Sequence, residues 1–214
     1  MLRGDVDGDG RPDSVTVRWA RWADGRCAFY LRVSTASGGV YSRALGPWTL
    51  EISKLDVNAR VRPDEFGVFP TVEAIVDLGG RGNLVVLSVG QGAASLGLSF
   101  FGIAHGRLHI VRVGRAKTVW PSATVMDITA FSCSRGGPLR EIGLGIVATR
   151  KHPYRWNFSS TTYRRRGSRF VAVAHRGLNG SHAKVFAAAK WAGMRNSTLT
   201  GCSLARQPGN WGGV

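Results

Sequence analysis

The sequence predicts an all-β fold with one short carboxy-terminal helix. Three observations predict it: several short runs alternate apolar and polar residues with a period of two, those runs are rich in β-branched and aromatic residues, and 29 glycines punctuate them. In SVTVRWA, Val15, Val17 and Trp19 fall on one face and Ser14, Thr16 and Arg18 on the other, which predicts a half-buried strand with Trp19 in the core. Phe29, Leu31 and Val33 against Tyr30 and Arg32 predict a second. TVEAIVDL, NLVVLSVG, LSFFGIA, RLHIVRVG, EIGLGIVAT, NFSSTTYR and RFVAVAHR, all between turn formers, predict further strands. Residues 100–113 read as a hairpin turning at His105 and Gly106, and residues 161–174 as another turning near Arg166 and Gly167. The alanines and the spacing of Val185, Ala189 and Trp191 predict a helix over residues 182–194. Residues 203–214, with Pro208 and several glycines, read as a flexible tail.

The two hairpin turns lie about 61 residues apart, near the length of a four-stranded sheet unit. A second echo begins at Asp77, where DLGGRGNLVVL repeats a loop and strand about 72 residues upstream. Residues 1–202 are therefore expected to form a single β domain with a degenerate internal repeat, about 1–72 and 73–202.

An apolar fraction of 43% over 214 residues is that of a globular protein, which excludes a disordered chain. The formal charge of +16 favours anionic partners, although the arginines are scattered and also fit a solvated surface. No apolar run approaches the roughly 18 residues that cross a bilayer. Met1 is followed after three residues by an acidic loop, which predicts either a cytosolic chain or the truncated start of an exported one. Cys27, Cys133 and Cys202 allow one disulfide and one thiol and lack zinc-site spacing.

The acidic loop carries the chemistry. In DVDGDGRPD the carboxylates of Asp5, Asp7 and Asp9 recur at every second residue, and Asp13 closes the set. Gly8 and Gly10 permit a tight turn, and by analogy with other loops of this pattern the Arg11 carbonyl supplies a further oxygen. Four acidic residues crowded into nine positions of a basic chain repel one another unless a cation intervenes. A hard cation taking six to eight oxygens fits that donor set, which predicts Ca²⁺ in preference to Mg²⁺. Thr16 stands where an EF-hand would place its bidentate Glu, so the loop is of another kind. In the echo, Gly79, Arg81 and Val85 replace carboxylates, which predicts no metal there. A solvent-facing Arg81 is expected, with a guanidinium folded back onto Asp77 as the sharper alternative.

Catalytic signatures are lacking: there is no G-x-S-x-G elbow, P-loop, H-E-x-x-H or strand-to-helix G-x-G-x-x-G. Nothing in the sequence pairs two carboxylates outside the loop for a hydrolase.

DVDGDGRPDSVTV resembles the calcium loop and following strand of FG-GAP or VCBS-type repeats, which occur in integrin-like propellers and in exported bacterial proteins, including actinobacterial envelope proteins. The resemblance implies blade-like antiparallel sheets, here a β-sandwich or partial propeller because 214 residues hold too few units for a closed ring. It implies structural Ca²⁺ at Asp5, Asp7, Asp9, Arg11 and Asp13, and a non-catalytic binding module of the cell envelope or extracellular space. The partner expected of such a module is an anionic envelope polymer or a glycan, or another protein. In exported proteins a Cys133–Cys202 disulfide would tie the carboxy-terminal helix to the sheet, with Cys27 left over; reduced, buried cysteine is the competing reading. The alternative function is a polyanion or nucleic-acid binder, in which Arg164, Arg165, Arg166 and Arg169 at a hairpin tip contact phosphates.

Overall fold

A computed structural model describes residues 1–21, 27–48, 70–92, 95–124, 127–147, 155–192 and 199–206. Strands β1 (Leu2–Gly4), β2 (Asp13–Arg21), β3 (Cys27–Ser34) and β4 (Val40–Trp48) pair in chain order as one antiparallel four-stranded sheet. The same meander recurs in β5 (Thr71–Val76), β6 (Leu84–Gly92), β7 (Ser95–Ala104) and β8 (Arg107–Val113). After the short β9 (Ser122–Ala123), it recurs once more in β10 (Asp127–Cys133), β11 (Leu139–Val147), β12 (Arg155–Arg166) and β13 (Arg169–Gly180). The second and third units share a ten-stranded sheet through a brief parallel contact of β8 with β13, where Val113 faces Phe170. Helix α1 (His182–Ala192) follows, and β14 (Ser203–Arg206) pairs with β5. The fold is all-β with one short helix, as the alternation predicts.

Burial explains why the second unit has the most apolar strands. On β6, Val85 and Leu87 pack with Leu2, Val15, Leu31 and Val33 of the first unit, whereas Leu84 and Val86 pack with Phe131, Leu139 and Phe170 of the third. A strand covered on both faces must be apolar at consecutive positions, and LVVL is. Phe100 meets Phe170 edge to face at a centroid distance of 5.7 Å and joins units two and three. The far face of the third unit, through Ile142, Leu144 and Phe158, is covered by Val185 and Ala189 of α1. The layers therefore run first unit, second unit, third unit, helix.

The expected strands all form, and the β7–β8 turn places His105 and Gly106 at φ 50° and 68°, the left-handed pair of a tight hairpin. Four features differ from expectation. Trp19 is 54% exposed, because β1 pairs only with residues 13–15 of β2 and leaves Trp19 on the sheet edge, whereas Phe29 opposite it, on a strand flanked by β2 and β4, is 2% exposed. The predicted second half of the repeat, residues 73–202, holds two meanders; the third was hidden because its first connection, residues 134–138, carries no acidic residue. Residues 203–206 of the expected tail are a strand, since Ser203 and Arg206 pair with Val76 and Ala74; residues 207–214 lie outside the described residues. Strands β4 and β10 escaped the alternation test because β4 ends in Gly46 and Pro47, tolerated on a sheet edge, and only Phe131 of β10 is fully buried. The helix covers residues 182–192 of the expected span, with 193 and 194 outside the described residues.

Candidate metal centre

The loop joining β1 to β2 is organised by its own carboxylates. Asp13, fully buried, accepts from the Val6 amide at 2.7 Å and the Asp7 amide at 3.3 Å through Oδ2, and from the Ala36 amide at 3.0 Å through Oδ1. It thereby holds both the start of the loop and the β3–β4 turn. Asp5 accepts from Gly8 at 2.7 Å and Gly10 at 3.0 Å, which winds the chain around its carboxylate. That winding needs φ of +85° at both glycines, a conformation a side chain would strain. Ligand oxygens of Asp5, Asp7 and Asp13 all lie within 4.8 Å of one another. Burial pushes the Asp7 carboxyl up from its ordinary value, and the charges of Asp13, Asp9 and Asp5 push the same way against the hydrogen bond from the Asp9 amide. A cation among these oxygens would relieve that repulsion, and an all-oxygen donor set suits a hard ion.

The predicted ligands are not all brought together. Asp9 is exposed and stands outside the group of three, its Oδ1 accepting from the Arg11 amide at 2.7 Å.

The echo loop, residues 77–83, joins β5 to β6 with the same backbone device: Gly80 and Gly82 have φ of 91° and 67°, in the places of Gly8 and Gly10. It is one residue shorter between its paired ends, Val76 facing Leu84 where Gly4 faces Asp13. The two loops touch. A Cβ on Gly8 would lie 2.9 Å from the Gly82 nitrogen, and the Asn83 amide donates to the Asp5 carbonyl. The third connection, residues 134–138, leans on the echo loop in turn, its Gly136 amide donating to the Asp77 carbonyl at 3.1 Å.

A guanidinium occupies the echo loop. Arg165, on β12, donates from Nη1 to the carbonyls of Gly82 (2.8 Å) and Gly79 (3.2 Å) and from Nη2 to that of Arg81 (3.3 Å). Burial lowers its pKa from the ordinary arginine value, and the charge of Asp77 opposes that shift. Arg81 is exposed, as expected, so the cation in the loop comes from another strand. This corrects the expected basic hairpin patch: Arg164, Arg166 and Arg169 are exposed, but Arg165 is turned inward. Strand parity could have found it, because Arg165 shares a face with Tyr163, which packs against the core between units two and three.

Cys133 and Cys202 form a disulfide with a Cα–Cα distance of 5.5 Å. It joins β10 to the 3-10 turn Thr200–Cys202 that leads into β14, rather than joining α1 to the sheet. The side chain of Cys27 lies outside the described residues.

A polar concavity of about 240 Å³ lies on β10–β12, lined by Asp127, Thr129, Glu141, Asn157, Ser159 and Thr161 among others. Asp127 faces Gly145, four residues along β11 from Glu141, which puts the two acids about 13 Å apart along the strand. Glu141 also accepts from the Tyr163 hydroxyl at 2.7 Å.

No protein-family model, curated protein or solved structure matches this chain.

Proposed function

We propose that this chain is a non-catalytic binding module whose amino-terminal loop is held rigid by calcium, of the FG-GAP or VCBS type that the loop resembles, working in the cell envelope or extracellular space. The observation that carries the reading is the convergence of Asp5, Asp7 and Asp13 oxygens within 4.8 Å on a loop already wound by its own amides. These three residues would hold the ion, which would neutralise charge that the isolated carboxylates cannot share. Asp9 and the Arg11 carbonyl are the proposed additional ligands. Asp9 would have to exchange its bond from the Arg11 amide for the metal. The Cys133–Cys202 disulfide supports an oxidising compartment. The net charge of +16 favours an anionic envelope polymer or glycan as partner.

Calorimetric titration of chelator-treated protein tests the metal. One calcium per chain with a raised melting temperature is expected, and an absence of heat at millimolar calcium would remove the reading. The competing reading, a polyanion or nucleic-acid binder, draws on the exposed Arg164, Arg166 and Arg169. Such binding weakens steeply as salt rises, with a slope of roughly 0.9 per neutralised phosphate on logarithmic axes for duplex DNA. Titrating the protein against duplex DNA over a range of salt separates the two readings.

A further inference from the structure

We infer that the echo loop, residues 77–83, is a second cation site whose resident cation is the Arg165 guanidinium, and that this internal cation holds the backbone against which the metal-competent loop rests. Loops that wind around a cation turn carbonyl oxygens inward, and here three carbonyls, of Gly79, Arg81 and Gly82, converge on one side chain. Gly80 and Gly82 match the left-handed Gly8 and Gly10, so the two loops share those two bends, while Gly79 adds a third left-handed residue where the first loop has Asp7. What differs is the charge inside. The first loop offers Asp5, Asp7 and Asp13; the second retains Asp77 alone, and its Oδ1 is committed to the Gly79 amide at 3.1 Å. A single carboxylate and three carbonyls suit one monovalent, planar, multiply donating cation better than a divalent ion.

The surroundings are shaped for that guanidinium. A Cβ on Gly102 would lie 3.2 Å from Nη2, and one on Gly80 would lie 3.5 Å from Cδ, so two glycines flank the side chain. From the loop the contact passes onward. Gly82, whose carbonyl takes the shortest Arg165 bond, abuts Gly8, and the neighbouring Asn83 donates to the Asp5 carbonyl. Arg165 therefore ties the third unit, through the second loop, to the first loop without a metal of its own. Its role is positioning.

The test uses the full chain with Arg165→Ala and Arg165→Lys, each measured with and without millimolar methylguanidinium, and with methylammonium as control. Arg165→Ala is expected to lower the melting temperature by roughly 4–8 °C, from the loss of charge-assisted bonds in a chain of this size. Methylguanidinium should restore part of that loss and methylammonium should not. Arg165→Lys should behave as a partial loss, since one ammonium cannot reach three carbonyls. The coupling arm rests on the calcium reading: Arg165→Ala should also weaken calcium binding roughly fivefold or more, the scale of an ordinary coupling between sites. Wild-type protein that binds no calcium removes that reading, while the melting and rescue results still judge the guanidinium. Should Arg165→Ala fail to fold, the wild type carries the test, because nuclear magnetic resonance should show the Arg165 guanidinium protons exchanging more slowly than those of exposed Arg164. Free exchange at Arg165, an unchanged melting temperature in Arg165→Ala, or equal rescue by methylammonium would each overturn the inference.

Discussion

Replacing Asp13 by Asn separates the structural work of the loop from its metal work. Asp13 is fully buried and both its oxygens accept backbone amides, from Val6 and Asp7 on one side and Ala36 on the other. The amide side chain keeps the shape but has one acceptor oxygen. If that oxygen stays with Val6 and Asp7, the new NH₂ group faces the Ala36 amide, and two donors oppose each other at a partly buried contact. Leaving a buried donor unsatisfied costs about 1–3 kcal/mol; Asn creates two such groups, and because the Ala36 contact is only partly buried the total lies toward the lower end, about 2–4 kcal/mol. At about 2–4 °C per kcal/mol for a chain of this length, the melting temperature should fall by roughly 5–15 °C. The assay is thermal unfolding in excess chelator, so that no ion contributes. Asp9→Asn is the control, because its carboxylate is exposed and, among the described residues, accepts the Arg11 amide alone; it should shift melting by no more than about 1–2 °C. An Asp13→Asn protein that melts with the wild type would refute the claim that this carboxylate organises two connections.

Reducing the Cys133–Cys202 bond frees a loop spanning a sequence separation of 69, which the chain-entropy relation values at about 4 kcal/mol. Melting under reductant should fall by roughly 8–16 °C, while Cys133→Ala/Cys202→Ala should be insensitive to reductant; equal melting of oxidised and reduced wild type would contradict the bridge. Burial, followed by the hydrogen bond to Glu141, pushes the Tyr163 phenol up to about 12. A raised folded value means that its stabilising contribution is complete below pH about 10, the unfolded value, and is lost as pH rises through about 12. Unfolding measured across that window should show this loss, Tyr163→Phe should reduce it, and ultraviolet titration should find one tyrosine ionising late; a Tyr163→Phe profile identical to wild type would contradict the assignment.

The parts of this molecule legible in its sequence are those governed by local rules. The alternation at Phe29, Leu31 and Val33 predicted the buried face of β3, and all three are at most 2% exposed. The crowding of Asp5, Asp7, Asp9 and Asp13 marked the loop, because like charges that close demand an explanation within a few residues of sequence. Legibility failed where the decisive partner is distant. Trp19 obeys the same alternation as Val15, yet β1 flanks β2 only at residues 13–15, so Trp19 stands on the sheet edge while Phe29 opposite it is buried. The echo at Asp77 showed that carboxylates were missing, and the nearest guanidinium in sequence, Arg81, was the natural candidate to fold back. The cation comes instead from Arg165, which topology alone brings to the Gly79, Arg81 and Gly82 carbonyls. Asp9 illustrates a finer limit: spacing placed four carboxylates in one loop, and only three of them share a point.

Calcium binding to chelator-treated wild type, Asp7→Asn and Asp9→Ala, by calorimetry with parallel melting curves, tests the metal centre most directly. One calcium per wild-type chain, a higher melting temperature with the ion, loss of both effects in Asp7→Asn and weakened binding in Asp9→Ala are expected. Wild type that takes up no calcium at millimolar concentration, or melts at the same temperature with and without it, would contradict a calcium-held loop.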